Sequence, residues 1–129
     1  MIKPISSFPV IIVEDIKIAK VFYTQYFDFS TVFENEWYIH LVSNSGIQIG
    51  FMLPNQPTQP KIFHNIHHKE GFIFSLEVDD ADIAYTEAQS NSLNIVLELK
   101  SEDWGQRHFC VEDPNGVYLD IVQSFEPTE

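Results

Sequence analysis

The side chains with the widest chemical range crowd one short stretch: Arg107, His108, Cys110, Glu112 and Asp120, set on either side of Asp113-Pro114-Asn115-Gly116. An imidazole, a thiol and carboxylates within one hairpin could move protons, attack a carbonyl or ligate a metal, depending on which of them share a face. The intervening tetrapeptide has turn chemistry: Asp to start it, Pro to fix φ, Asn and Gly to accept positive φ. A four-residue loop would set Glu112 against Val117, Phe109 against Asp120 and Arg107 against Val122. Strand alternation then puts Arg107, Phe109, Val111, Tyr118, Asp120 and Val122 on one face, and His108, Cys110, Leu119 and Ile121 on the other. The first face mixes opposite charges with aromatic groups, as a lined cavity does. A structural Arg107–Asp120 ion pair is the plainer reading and is compatible with a cavity. On this phase Cys110 is an inert core thiol without a base beside it, and His108 and His40 are core histidines.

The remaining reactive groups carry less. His64, His67 and His68 form the densest imidazole cluster, but they sit in a proline-rich segment beside Lys61 and Lys69, which reads as a solvated loop rather than a metal site. The sequence has no glycine-rich phosphate loop, nucleophile elbow or zinc-type cysteine pattern. Seven basic residues against nineteen acidic ones give a net charge of −12. That field repels nucleic acid and anionic membranes and enriches cationic small molecules, although acidity of this kind also serves solubility alone. One cysteine among 129 residues allows no internal disulfide and points to a reducing, cytoplasmic compartment. The apolar run at 10–13 is too short for a membrane span or a signal-peptide core.

The elements that position these groups are repeated. Val13-Glu14-Asp15-Ile16-Lys17-Ile18-Ala19 matches Val78-Asp79-Asp80-Ala81-Asp82-Ile83-Ala84 at an offset of 65, each copy following a short apolar strand. Asp15 and Asp80 are N-caps, with Ile18, Ala19, Phe22 and Tyr26 predicted as one buried stripe and Ile83, Ala84, Glu87 and Ala88 as the other. Gly46-Ile47-Gln48-Ile49-Gly50-Phe51 corresponds to Gly116-Val117-Tyr118-Leu119-Asp120-Ile121 at an offset of 70, which also lays 37–42 on 107–112. Runs at 31–34, 37–43, 47–53 and 94–100 read as strands. The chain is therefore one α+β domain over 1–129 made of two βαβββ modules, 5–53 and 71–124, joined by a linker at 54–70.

The duplicated module, the V-x-D start of each helix, Phe22-Tyr23 and the block Trp104-Gly105-Gln106-Arg107-x-Phe109-x-x-x-Asp113-Pro114-Asn115-Gly116 together resemble the vicinal oxygen chelate (glyoxalase/bleomycin resistance/dioxygenase) superfamily, nearest its bleomycin-resistance branch. The resemblance covers about residues 8 to 123 and implies curled mixed sheets around a cleft, usually completed by two chains as a homodimer. Enzymes of the superfamily hold a divalent metal with one residue from the first and one from the last strand of each half. Those positions here are Phe8, Gly50, Ile73 and Asp120, of which one alone is a donor, so the usual metal, and any cofactor, is expected to be absent. The expected ligand cleft comprises Phe8, Trp37, Ile39, Gly50, Ile73, Glu77, Arg107, Phe109, Tyr118 and Asp120. It suits sequestration of a small aromatic compound, with a cation favoured by the field. The alternative is a lyase- or dioxygenase-type enzyme of the same superfamily, or metal-free acid–base chemistry through Glu77 or Asp120; no catalytic residue is singled out.

Overall fold

In a computed structural model, which describes residues 1–125, the chain forms two compact units that divide between His67 and His68. The first unit runs β1 (Val10–Ile12), α1 (Ile16–Tyr26), β2 (Phe29–Glu34), β3 (Tyr38–Ser43), β4 (Gln48–Met52) and a 3-10 turn (Lys61–Phe63). Its sheet has the order β1-β4-β3-β2, with β1 parallel to β4 and the other pairs antiparallel. The second unit repeats this with β5 (Ile73–Glu77), α2 (Ala81–Ser90), β6 (Asn94–Glu102), β7 (Gln106–Glu112) and β8 (Tyr118–Ser124), in the order β5-β8-β7-β6. The α+β class and the doubled βαβββ order are as the sequence predicts.

Each helix starts because an aspartate is held extended in front of it. Asp15 at φ −140° accepts hydrogen bonds from the N–H groups of Lys17 and Ile18, and Asp80 at φ −141° accepts one from Ile83. Both carboxylates satisfy donors that the first helical turn leaves orphaned. The buried stripe of α1 is Ile16, Ala19, Phe22 and Tyr23, not the expected set with Ile18 and Tyr26. Since the helix begins directly after Asp15, Ile16 faces the sheet and Ile18 turns outward. Ile83 turns outward in α2 for the same reason, and Ala81 and Ala88 make the contact. Beneath α1, Tyr23 meets Phe51 and Phe29 at centroid distances of 5.1 and 5.8 Å, over Val13, Ile39, Leu41 and Ile49. Beneath α2 lie Phe74, Leu76, Phe109, Val111, Leu119 and Ile121, with Tyr85 edge-on to Phe109 at 5.1 Å.

The hairpin register differs by one residue from the expected one. Asp113 N–H donates to the Val117 carbonyl at 2.8 Å, so Asp113, rather than Glu112, opposes Val117, and Cys110 opposes Asp120. The loop is three residues long because the nearly buried Asp113 carboxylate accepts from the N–H groups of Asn115 and Val117, both at 2.8 Å, while Gly116 takes φ +86°. A three-residue turn closed by a left-handed glycine is a standard hairpin solution. The first unit has the same turn, with Ser43 N–H donating to Ile47 and Gly46 at φ +93°.

One residue of register turns every side chain of β3 and β7 to the other face. Ile39 and Phe109 are therefore core residues beneath the helices, at 1% and 2% exposure, and not part of an open face. Arg107 also lies on the helix side. Its guanidinium grips Asp82 near the start of α2 through two bonds of 2.9 Å and donates to Ser101 at 3.0 Å, so the Arg107–Asp120 pair that the sequence left open does not form. In the first sheet Tyr38 and His40 take the opposite face instead, over Met52 and Gly50, and in the second His108 and Cys110 do, beside Asp120.

Candidate ligand-binding site

The face of the first sheet turned away from α1 carries a cavity of about 520 Å³. Phe8, Val10, Ile12, Phe33, Trp37, Tyr38, Met52 and Phe63 supply its apolar wall, with Asn35 and Gln59 the polar members. Phe33 reaches it through a bulge. The β2–β3 register slips between Thr31 and Phe33, so Phe33 opposes His40, while Thr31, two residues earlier, opposes the core residue Leu41. Asn35 shapes the turn before β3 by accepting from the N–H groups of Trp37 and Tyr38 at 2.9 and 2.8 Å. A polar chain leads away from Tyr38: its Oη to His40 Nδ1 at 2.8 Å, His40 Nε2 to Gln48 Oε1 at 2.8 Å, and Gln48 Nε2 to Ser6 Oγ at 3.1 Å. Burial pushes the Tyr38 phenol above its ordinary pKa, so it stays protonated. Gly50 lies under this ring, and a Cβ there would overlap the Tyr38 hydroxyl.

The corresponding face of the second sheet carries a cavity of about 350 Å³ bounded by Ile73, Val96, Leu97, His108, Cys110, Tyr118 and Asp120. Charges alternate along its edge. Lys100 Nζ lies 3.4 Å from Glu102, whose carboxylate accepts from His108 Nε2 at 3.0 Å, and His108 Nδ1 donates to Asp120 at 2.7 Å. Burial disfavours the His108 cation, but hydrogen bonds to Glu102 and Asp120 and their negative charge outweigh it and raise the pKa. The same His108 bond, helped by Lys100, holds Glu102 below the usual carboxylate range. Burial, then the charges of Asp120 and Glu112, push the Cys110 thiol up to about 11, which leaves it no nucleophile at neutral pH.

The family model for the glyoxalase/bleomycin resistance protein/dioxygenase superfamily matches residues 5–121. The chain belongs to that superfamily. Among curated proteins, none matches it in sequence. Solved structures do: a superfamily member from Sphaerobacter thermophilus is 24% identical with a TM-score of 0.74, covering 95% of this chain and 98% of its own. A bleomycin resistance determinant encoded on transposon Tn5 is 19% identical with a TM-score of 0.68, over 92% of this chain and 97% of its own. A bleomycin-binding protein complexed with bleomycin is 19% identical with a TM-score of 0.67, over 92% and 98%. At these identities the likeness is one of fold.

Against the superfamily pattern, the residues picked out by sequence fall into separate groups. Phe8 and Trp37 border the first cavity, with Gly50 beneath its Tyr38. Ile73, Tyr118 and Asp120 border the second. Glu77 is exposed on β5 outside that lining, opposite Val122, while Ile39, Phe109 and Arg107 face the helices. Phe8, Gly50 and Ile73 offer a metal no donor, and among the described residues no group of three or more His, Cys, Asp or Glu side chains is disposed to hold one. His64 spends its Nε2 on the Gln59 carbonyl at 2.8 Å. Sequence reasoning missed Tyr38, His40, Phe33, Met52, Phe63 and His108. The first two and His108 would have followed from reading Asn-Ser-Gly and Pro-Asn-Gly as three-residue turns with left-handed glycines.

Proposed function

We propose that this superfamily member binds and sequesters a small aromatic compound in the cavity of its first unit, without a resident metal and without converting the compound. The observation that carries the reading is the cavity itself. About 520 Å³ walled by Phe8, Phe33, Trp37, Tyr38 and Phe63 suits a flat guest of one or two rings, and each ring contact adds roughly 1 kcal/mol beyond area burial. The bleomycin-binding protein of like fold supports small-molecule binding. The net charge of −12 favours a cation among otherwise equal guests. The proposed working form is a cytoplasmic homodimer, as the superfamily resemblance implies.

A second reading, metal-free acid–base catalysis, rests on the His108–Asp120 pair beside the second cavity, where a carboxylate could take a proton from a guest. A screen of planar neutral and planar cationic compounds, followed by tryptophan fluorescence, separates the two. A guest should quench Trp37 and be recovered unchanged, and Trp37→Ala should weaken it about tenfold. Absence of binding below millimolar concentration, or consumption of a hit over many turnovers, would defeat the sequestration reading.

A further inference from the structure

We infer that the Tyr38 hydroxyl selects among guests of the first cavity by accepting a hydrogen bond from an O–H or N–H group on the aromatic molecule. This rests on the binding reading above and adds the polar chemistry of the guest. The direction of the hydrogen-bond chain that begins at Tyr38 in the cavity wall decides it. Gln48 gives an amide N–H to Ser6 Oγ, so its carbonyl is the group turned to His40 Nε2. A carbonyl only accepts, hence Nε2 carries a proton, and in a neutral imidazole Nδ1 is then the acceptor. The Tyr38 proton is committed to that nitrogen at 2.8 Å. A phenol has one proton and two lone pairs, so what Tyr38 retains for a guest is acceptor capacity.

Gly50 makes this arrangement possible. Any side chain there would collide with the hydroxyl, so at one of the positions where the superfamily resemblance calls for a metal ligand, a tethered phenol oxygen takes the space. Of the other polar side chains in the lining, Asn35 has its carbonyl occupied by the N–H groups of Trp37 and Tyr38, and Gln59 is the competitor that a Tyr38→Phe comparison separates.

The test compares 2-naphthol with 2-methoxynaphthalene by calorimetry in mildly alkaline buffer, where imidazole is ordinarily neutral. The parent should prefer 2-naphthol by about tenfold, the worth of one partly buried hydrogen bond. Tyr38→Phe should reduce the preference below about twofold, through a loss of 2-naphthol affinity. His40→Phe frees the Tyr38 proton to meet the methoxy oxygen and should narrow the preference from the other side; it also guards against loss of folding in the first variant. Equal binding of the two compounds by the parent, or a preference that survives Tyr38→Phe, overturns the inference and leaves the cavity reading standing. Failure of both compounds to bind overturns the two together.

Discussion

Replacing Phe109 with alanine is expected to lower the free energy of unfolding by about 3–5 kcal/mol without weakening aromatic guests. The ring is 2% exposed and stands edge-on to Tyr85 of α2 at 5.1 Å. Truncation would remove its transfer free energy and open a hole that the flanking Val111, Leu119 and Ile121 are fixed too firmly by their strands to fill. Urea titration reads the stability, and the guest titration is repeated on the same sample. Should the alanine variant not fold, Phe109→Leu keeps most of the volume and is expected to cost about 1–2 kcal/mol. A variant of unchanged stability that loses its guest would put Phe109 in the cleft and return the hairpin to the four-residue loop.

Stability should also track the protonation of His108. Because its folded pKa lies above the unfolded value of 6.5, its contribution is complete below that pH and fades as pH rises through the folded pKa. Glu102 works in the opposite sense: its folded pKa lies below 4.5, so its contribution is complete above that pH and is lost as pH falls through the folded value. The Glu102–His108–Asp120 array therefore contributes most between pH 4.5 and 6.5. His108→Ala should cost about 2 kcal/mol in mildly acidic buffer, since it strips a proton donor from two partly buried carboxylates, and the difference from the parent should shrink on the alkaline side. Thermal melts across this range check it. A gap that widens with rising pH would mean that His108 is held neutral.

The repeat was legible because it is written in residue types. Asp15 and Asp80 cap their helices with matching dihedrals, and the offset of 70 places Tyr38/Met52 on His108/Val122 and His40/Gly50 on Cys110/Asp120, as the ladders have it. What the sequence concealed hangs on single residues. Whether Asp113 ends a strand or opens a loop depends on hydrogen bonds from Asn115 and Val117 to its own carboxylate, and that one position sets the phase of β7. The bulge that swings Phe33 to the open face leaves no mark on the alternating pattern of β2. Phe63 joins the cavity from a proline-rich stretch with no periodicity to follow. His40 on an apolar strand has the look of a core histidine, and only its bonds to Tyr38 and Gln48 reveal a polar chain.

Metal-free binding without turnover is tested most directly by native mass spectrometry of the whole chain, incubated with 2-naphthol after exhaustive chelation. The expected spectrum shows each chain heavier by one intact naphthol and by no metal, with the compound released unaltered on denaturation. A complex that forms only after a divalent ion is restored, or a released compound of changed mass, would contradict the account.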